Sequence, residues 1–346
     1  ALGSNDQQIW AQYLGENHSF KNKTFSGFES LVSGLSDDDW NAVNTLKKIT
    51  HYKDLDPSVL LAIAVSRKAV EKVSWNNKSF GINIGSSRGA TTLFEKYHSE
   101  FLHSKNANVS TLSSPTTTLG NISSWVGHDL QSNGPTISHS IACSTALHAV
   151  LNGIAWITSG MTDRFLVGGS EASNTPFTIA QMKALKIYSN DKSAYPCKTL
   201  DFNKKQNTMI LGEGAAVFCL EKGLKKNALA TIEGIGYATE PLKHNISIST
   251  NADCFQKSMA MALSAVEPEA IDVIVMHAPG KIKGDASEYN AIEHIFKDEV
   301  PALTSNKWKI GHTLGASGGL SLELAIRMLQ QQQFVSIPFL KDQKHP

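Results

Sequence analysis

Apolar residues recur along the chain with two spacings, and these spacings predict alternating helices and strands. A helical spacing begins after Asp56-Pro57 and continues to Val70, which predicts a helix with proline in its first turn. Continuous apolar runs that end in glycines predict buried strands at 80–85 and 163–171. Buried strands separated by helices are typical of α/β layers, in which helices cover both faces of a sheet.

The same alternation continues through the rest of the chain. The further predicted elements are an apolar helix at 119–126, a strand before Cys143 and a helix after it, a strand at 211–220, a strand at 230–236, a helix at 254–263, a strand at 271–276, a short strand at 303–305, a helix at 314–329 and a strand at 334–339. A charged stretch from Glu221 to Asn227 separates two series of elements. We therefore predict two α/β halves, residues 1–228 and residues 229–346.

Composition narrows the class of protein. The chain has 346 residues, 41% hydrophobic and 18% charged, as expected for an ordinary globular protein with more than one simple core. A formal net charge of +1 argues against a nucleic-acid binder, which would carry a basic surplus. No apolar run approaches the roughly 20 residues that span a bilayer, and no signal segment opens the chain. We expect a cytoplasmic protein without a membrane span.

The four cysteines further restrict the chemistry. Cys143, Cys197, Cys219 and Cys254 form no CxxC pair and no metal-ligand spacing with histidine. This pattern predicts neither a disulfide scaffold nor a metal site, and it fits a reducing compartment.

Cys143 stands where a strand-like segment meets a small, apolar helix that runs to Ile157. Unpaired backbone N–H groups and the positive end of a helix dipole at such a junction favour the thiolate, which is the nucleophilic form of cysteine. Free cysteine is also among the residue types most often buried in a core. This segment alone leaves a catalytic thiol and a core thiol both open.

Two of the twelve histidines occupy positions where ligands bind in α/β proteins. His277 follows the predicted strand 271–276 directly, at the carboxyl end where α/β sheets place their ligands. His312 lies between Gly311 and Gly315, which permit close approach of other groups. Considered singly, each is better explained as a core or surface histidine bonded to a backbone carbonyl. Segments 141–146 and 310–316 resemble each other weakly, which suggests two related halves that meet at a shared site.

Four segments together resemble the Cys-His-His β-ketoacyl-[acyl-carrier-protein] synthases of the thiolase-like superfamily. They are Ala142-Cys143-Ser144; Gly168-Gly169-Ser170-Glu171-Ala172 with Leu211-Gly212-Glu213-Gly214-Ala215; residues 277–288, from His277 to Glu288; and residues 305–319, which contain Lys307 and His312. They occur in the family's order and spacing and extend over essentially the whole chain. The resemblance implies an α/β fold of duplicated αβαβα layers, with two related halves around a shared active site.

The resemblance also implies a reaction, a decarboxylative Claisen condensation of an acyl-enzyme thioester with malonyl-acyl carrier protein. The product is a 3-oxoacyl-carrier protein, in fatty acid or polyene/polyketide biosynthesis. Cys143 would carry the acyl group, and His277 and His312 would stabilise the enolate oxygen. Lys307 and Glu288 would orient His312 and fix protonation states.

The same resemblance implies the partners. The substrates arrive on the phosphopantetheine of acyl carrier protein, so we expect no other cofactor. We expect a homodimer, or a heterodimer with a related synthase subunit, formed near the strand that leads to Cys143.

Three features depart from the family pattern. Pro279 and Lys281 replace the threonines that hold the phosphopantetheine arm, and Gln206-Asn207-Thr208 replaces the usual Arg-Asp-Gly. The family's later Gly-Phe-Gly-Gly loop does not occur before Pro346, and we expect that the sequence is truncated there. The first departure removes the hydroxyls that would bind the phosphopantetheine arm, and the second indicates a divergent branch.

Two other functions remain alternatives. A non-catalytic, chain-length-type partner of a heterodimeric ketosynthase would keep the fold, although such partners typically lose the cysteine. A cysteine hydrolase would need a general-base histidine and an orienting Asn or Asp, and it would leave Lys307 and the second histidine unexplained. The retained Cys143, His277 and His312 favour condensation.

Overall fold

The structure, a computed structural model, describes residues 2–3, 5–25, 27–73, 75, 79–106, 108–119, 121–241, 249–297 and 299–340. The α-helices run, in chain order, as α1 (Asp6–Leu14), α2 (Asp37–Lys47), α3 (Pro57–Val73), α4 (Thr91–His103), α5 (Ser113–Thr117), α6 (Asn121–Leu130), α7 (Thr145–Thr158), α8 (Pro176–Ala184), α9 (Asp253–Ala262), α10 (Ile282–Phe296), α11 (Lys307–Ile310) and α12 (Ser317–Gln331). The strands are β1 (Phe20–Phe25), β2 (Phe28–Ser33), β3 (Gly81–Gly85), β4 (Thr136–Ile137), β5 (Arg164–Glu171), β6 (Gly214–Glu221), β7 (Val273–Val275) and β8 (Ala302–Thr304). None of these helices is long and apolar enough to cross a membrane.

The first half is organised around a sheet with the strand order β4-β3-β5-β6, in which β3 is parallel to both β4 and β5, and β6 is antiparallel to β5. Successive side chains of β5 point to opposite faces of this sheet. Leu166 joins the core that α3 forms, whereas Phe165 and Val167 pack with residues of α7. The uninterrupted apolar run in β5 therefore has a helix layer on each face, as the sequence predicted.

The second half contains the parallel pair β7 and β8. Met276 extends this pairing by donating its N–H to the carbonyl oxygen of Thr304 at 2.8 Å. A second core forms here from Met276, Ile292 of α10 and Leu303 of β8. The two halves together confirm the predicted α/β class.

The strand predicted at 230–236 is wrong, because this exposed segment pairs with none of the described strands. Two glycines instead bring its main chain against helix α9. A Cβ atom on Gly234 would lie 2.0 Å from the carbonyl oxygen of Ala262, and one on Gly236 would lie 1.8 Å from that of Ser258. The apolar alternation in residues 230–236 therefore belongs to a non-strand segment that packs against α9.

The strand predicted at 334–339 is also absent from the described residues. Val335 and Ile337 are buried, which accounts for the apolar pattern. The carbonyl oxygen of Val335 accepts its hydrogen bond from the hydroxyl of Thr304 at 2.6 Å. A side chain thus satisfies a main-chain group that a strand ladder would otherwise bind.

Candidate active site

Cys143 lies on a 3₁₀ turn, Ala142–Ser144, directly before helix α7. Ala142 adopts a φ of 45°, a left-handed conformation that costs a non-glycine residue roughly 1–2 kcal/mol. Thr145 holds this turn, because its hydroxyl donates to the carbonyl of Ala142 at 2.7 Å and accepts the N–H of Ile141 at 2.8 Å. The sharp turn presents the Cys143 side chain between the strand segment and the helix.

The electrostatics of the thiol differ from the expectation drawn from its helix junction. Burial raises the pKa of Cys143 above its ordinary value, and the charge of Glu171 raises it further. Lys281 and Lys307 oppose these effects by lowering the pKa. Desolvation therefore outweighs the groups that favour the thiolate, so deprotonation depends on the cations in the second half.

Cys143 and the two predicted histidines come together in space. The ligand-type atoms of Cys143, His277 and His312, the sulfur and one ring nitrogen from each histidine, lie within 4.8 Å of one another. The two imidazole rings are 5.0 Å apart between centroids and nearly perpendicular, at 88°. An acyl group on the sulfur would therefore lie beside both rings.

His312 is held as a hydrogen-bond donor toward this cluster. Its Nδ1 accepts the N–H of Leu314 at 2.9 Å, so in the neutral ring the proton is on Nε2. Burial lowers the pKa of His312 to about 3, and the charges of Lys307 and Lys281 contribute in the same direction. The ring is therefore neutral near pH 7 and carries one N–H that can stabilise an oxyanion.

The main chain of His312 is bonded to the Leu211-Gly212-Glu213-Gly214 motif and to Ile210, which precedes it. His312 donates its N–H to Ile210 at 2.7 Å and accepts that of Gly212 at 3.0 Å. Gly311 has a φ of 72°, and a Cβ atom there would lie 2.8 Å from the carbonyl oxygen of Ile210. The flanking glycine predicted to permit close approach is thus required by main-chain packing.

Glu288 holds the loop that starts at His277. Its buried carboxylate accepts the N–H of His277 at 2.7 Å and that of Ala278 at 2.8 Å. Burial raises the pKa of Glu288 to about 7, against the lowering effect of these two N–H groups. The resemblance implied that Glu288 orients His312, whereas its contacts orient the main chain of His277.

Lys307 is the buried cation of the cluster. Its side chain is 1% exposed, and its Nζ donates to Asn306 Oδ1 at 2.7 Å and to Ser321 Oγ at 2.9 Å. Burial lowers the pKa of Lys307 to about 8, while the charge of Glu288 raises it. Burial lowers the pKa of both His277 and His312, and the charge of Lys307 lowers it further, so the two rings stay neutral.

The depressed pKa of His312 predicts a pH-dependent stability. The folded pKa, about 3, is below the ordinary value of 6.5, so the unfolded chain binds more protons between these limits. Stability due to neutral His312 is present above pH 6.5 and is lost as the pH falls toward 3. As the pH falls from 6.5 to 4, we expect the free energy of unfolding of wild type to decrease more than that of His312→Asn. The difference should be on the order of 1 kcal/mol per pH unit.

Urea unfolding of both proteins between pH 4 and 6.5 measures this difference. Glu288 and Glu171 titrate with the opposite slope, but both are present in each protein. His103 is exposed, so His103→Asn provides the control and should keep the wild-type slope. Parallel curves for wild type and His312→Asn would contradict a neutral, buried His312.

The same three side chains also have the donor types that bind a soft metal ion. His312 would have to give up the proton on Nε2 to become a ligand through that atom, because Nδ1 already accepts the N–H of Leu314. If the proton moved to Nδ1, the Nδ1–H group would face the main-chain N–H of Leu314, and neither could accept a hydrogen bond from the other. The arrangement therefore favours hydrogen-bond donation over metal binding at His312.

Glu171 is a buried carboxyl group that sequence reasoning quoted within a motif without giving it a role. It accepts the N–H groups of Ser87 at 2.8 Å and Gly315 at 2.9 Å, and it also binds Ser86 and Arg88. It therefore connects the two halves beside Cys143. The signal available in the sequence was an acidic residue at the end of the run 163–171, which was predicted to be a buried strand.

The internal repeat is real, but its register differs from the predicted one. The 3₁₀ turn Leu314–Ala316 precedes α12 as Ala142–Ser144 precedes α7, and both turns begin at a φ of 45°. Gly315 therefore takes the place of Cys143 in the second half. His312 lies three residues earlier, outside the repeated turn.

The two departures after His277 have different structural outcomes. Pro279 occupies the middle of the loop, where its carbonyl oxygen lies 3.9 Å from the sulfur of Cys197. Lys281 is half-buried at the end of the loop, and its charge lowers the pKa of Cys143, His277 and His312. A cation thus stands where the family pattern has a hydroxyl.

Comparison with known families matches nearly the whole chain. Residues 16–226 match the family "Beta-ketoacyl synthase, N-terminal domain", and residues 229–339 match "Beta-ketoacyl synthase, C-terminal domain". The chain is 28% identical over 342 residues to 3-oxoacyl-[acyl-carrier-protein] synthase 2 of Coxiella burnetii, which covers 94% of the chain and 82% of that protein. It is 25% identical over 295 residues to 3-oxoacyl-[acyl-carrier-protein] synthase I, chloroplastic, of Arabidopsis thaliana, covering 80% of the chain and 61% of the relative.

A solved structure extends the likeness to the fold. A ketosynthase in complex with its chain length factor from Xenorhabdus doucetiae matches with a TM-score of 0.81 and 20% identity, over 99% of this chain and 84% of that one. This likeness confirms the predicted thiolase-like α/β fold.

Proposed function

Because this chain belongs to the β-ketoacyl synthase family, we propose that it extends an acyl group by decarboxylative Claisen condensation with malonyl-acyl carrier protein. The observation that carries the proposal is the cluster of Cys143, His277 and His312, whose reactive atoms lie within 4.8 Å of one another. The pathway is fatty acid or polyketide synthesis, in which the family's named members act. The chain spans 61% to 82% of the two relatives named above, so its activity as a whole rests on this proposal.

The first half-reaction forms a thioester on Cys143. The thiolate attacks the carbonyl carbon of an acyl group on acyl carrier protein, and the carrier thiol leaves with a proton. Burial raises the pKa of Cys143, so the nearby positive charges of Lys281 and Lys307 assist this step by favouring the thiolate. Both substrates arrive on the carrier's phosphopantetheine, and the reaction needs no other cofactor.

The second half-reaction forms the new carbon–carbon bond. Loss of carbon dioxide from the malonyl group leaves an enolate, whose oxygen accepts the N–H of neutral His312 and a hydrogen bond from His277. The enolate carbon then attacks the acyl carbon on Cys143. The bond to sulfur breaks, and the thiolate is regenerated as the 3-oxoacyl product leaves on the carrier.

The alternative, a non-catalytic chain-length-type partner, is not favoured. Its main sequence expectation is loss of the cysteine, and this chain retains Cys143 with both histidines beside it. The resemblance in fold to a ketosynthase bound to its chain length factor supports a heterodimer of which this chain is the active subunit.

We also propose a dimer and a cytoplasmic location. Strand β4 forms one end of its sheet and can pair with a second chain, and the nearby side chains of Ile141 and Leu147 are 46% and 47% exposed. The four cysteines are free thiols, which fits a reducing compartment.

Mass spectrometry of the purified protein tests the proposed function directly. Incubation with a ladder of acyl-carrier proteins should add one acyl mass at Cys143, and later addition of malonyl-carrier protein should release a product two carbons longer. Light scattering of the same preparation reports its oligomeric state. An inert protein that becomes active only after a related subunit is added, with no acyl mass on Cys143, would support the partner function instead.

A further inference from the structure

The loop after His277 has no regular structure, yet it is held along its whole length. Ala278 and Gly280 adopt positive φ values of 21° and 90°. The side chains that bind residues 278–281 come from helix α10 and from the segment 197–208. These contacts determine how His277, the first residue of the loop, is presented to Cys143.

Two threonines of the segment 197–208 bind the carbonyl groups of the loop. Thr199 donates its hydroxyl to the carbonyl of Ala278. Thr208 donates both its N–H, at 2.8 Å, and its hydroxyl, at 3.0 Å, to the carbonyl of Gly280. Thr208 belongs to the Gln206-Asn207-Thr208 departure, so the divergent residues serve this loop directly.

The Ala278 N–H binds Glu288, and the N–H groups of Gly280 and Lys281 bind a second carboxylate, that of Asp285. Asp285 Oδ1 accepts the N–H of Gly280 at 3.2 Å and that of Lys281 at 3.0 Å. Its other oxygen, Oδ2, lies 3.0 Å from Nζ of Lys204. The side chains of Lys204 and Asp285 are 2% and 0% exposed, so the ion pair is removed from solvent.

Lys204 opposes protonation of this carboxylate. Burial raises the pKa of Asp285, whereas the charge and hydrogen bond of Lys204 lower it. A buried carboxylate without a cation is costly and tends to take up a proton, which competes with acceptance of main-chain N–H groups. Lys204 also donates to the carbonyl of Asp201 at 2.9 Å, which fixes its own position.

We propose that Lys204 is a positioning residue for decarboxylation, which acts through Asp285 and the 278–281 loop to hold His277 against the enolate oxygen. This inference rests on the proposed function. The inference predicts different effects on the two half-reactions. Cys143 is held by other contacts, those of Thr145 in the first half. Lys204 therefore matters mainly for decarboxylation, and it affects acyl loading only through the charge of Lys281 on the same loop.

The test compares the two half-reactions in Lys204→Met. Acyl loading on Cys143 is measured by mass spectrometry, and carbon dioxide release from malonyl-carrier protein is measured on the same preparation. We expect decarboxylation to fall by about 10- to 100-fold, as for an ångström-scale displacement of a catalytic group, while loading stays within about twofold of wild type. Lys205→Met is the matched control, because Lys205 is exposed and should leave both rates unchanged.

A second variant and a second measurement distinguish positioning from general destabilisation. Lys204→Met combined with Asp285→Asn removes the buried unpaired charge while an amide oxygen still accepts the loop N–H groups, so part of the decarboxylation rate should return. Hydrogen exchange at Gly280 and Lys281 should be about tenfold faster in Lys204→Met alone, since their acceptor is weakened.

Three results would overturn the inference. Equal losses in loading and decarboxylation would indicate general destabilisation, and no loss in either would show that the ion pair is dispensable. Unchanged exchange at Gly280 and Lys281 would disconnect Lys204 from the loop. Wild-type protein that never loads an acyl group refutes the proposed function itself, a failure visible before any variant is made.

Discussion

Cys143→Ala is expected to lose the covalent acyl adduct completely and to lower condensation by roughly 10³-fold or more, because removal of the attacking atom eliminates the covalent route. The histidines remain in place in this variant, so carbon dioxide release from malonyl-carrier protein should continue. Mass spectrometry after incubation with acyl-carrier protein, together with a carbon dioxide assay, measures both quantities.

Cys254→Ala is the matched control for this variant. Cys254 is a free thiol near the start of α9, outside the cluster, so its removal should leave acyl loading at the wild-type level. An acyl adduct that persists in Cys143→Ala would assign the attachment to another residue and refute the role of Cys143.

His312→Ala is expected to have the second largest effect, with the opposite distribution between the half-reactions. Loss of one preorganised oxyanion donor costs about 10²–10³-fold in rate, so decarboxylation should fall by this factor while the acyl adduct on Cys143 still forms. His277→Ala should behave similarly, since its ring faces the same cluster at 5.0 Å from that of His312. The same two assays measure the effect.

The control variant His103→Asn, on the exposed surface, should leave both half-reactions unchanged. If His312→Ala lost acyl loading and kept decarboxylation, the ring would be assisting the thiol and not the enolate. That outcome would reverse the roles proposed for the two half-reactions.

Local sequence pattern predicted the elements that are buried on both faces. The run at 163–171 became β5, because its alternate residues Leu166 and Phe165 each meet a helix layer. The segment 230–236 has a similar apolar alternation but is not a strand, because a strand needs a partner and pattern alone supplies none. Gly234 and Gly236 instead allow the chain to approach a helix, and the pattern did not distinguish the two outcomes.

The site was predictable in its residue types and not in its connections. Cys143, His277 and His312 are recognisable from their motifs, and the structure brings their reactive atoms together. The partner of Glu288 depended on where helix α10 lies relative to the loop, which no spacing determines. Lys204 and Asp285 are 81 residues apart in the chain, so their contact exists only through the tertiary fold.

The hydrogen bond from Leu314 to Nδ1 of His312 limits what the enzyme can do with its substrates. A ring with its lone pair occupied and a pKa of about 3 cannot remove a proton from an unactivated methyl thioester. In the proposed reaction the nucleophilic carbon instead comes from a malonyl group, whose bond to the carboxylate breaks and leaves the electron pair on the attacking carbon. Because the released carbon dioxide escapes, the chain extension proposed here would not run backwards to shorter acyl groups.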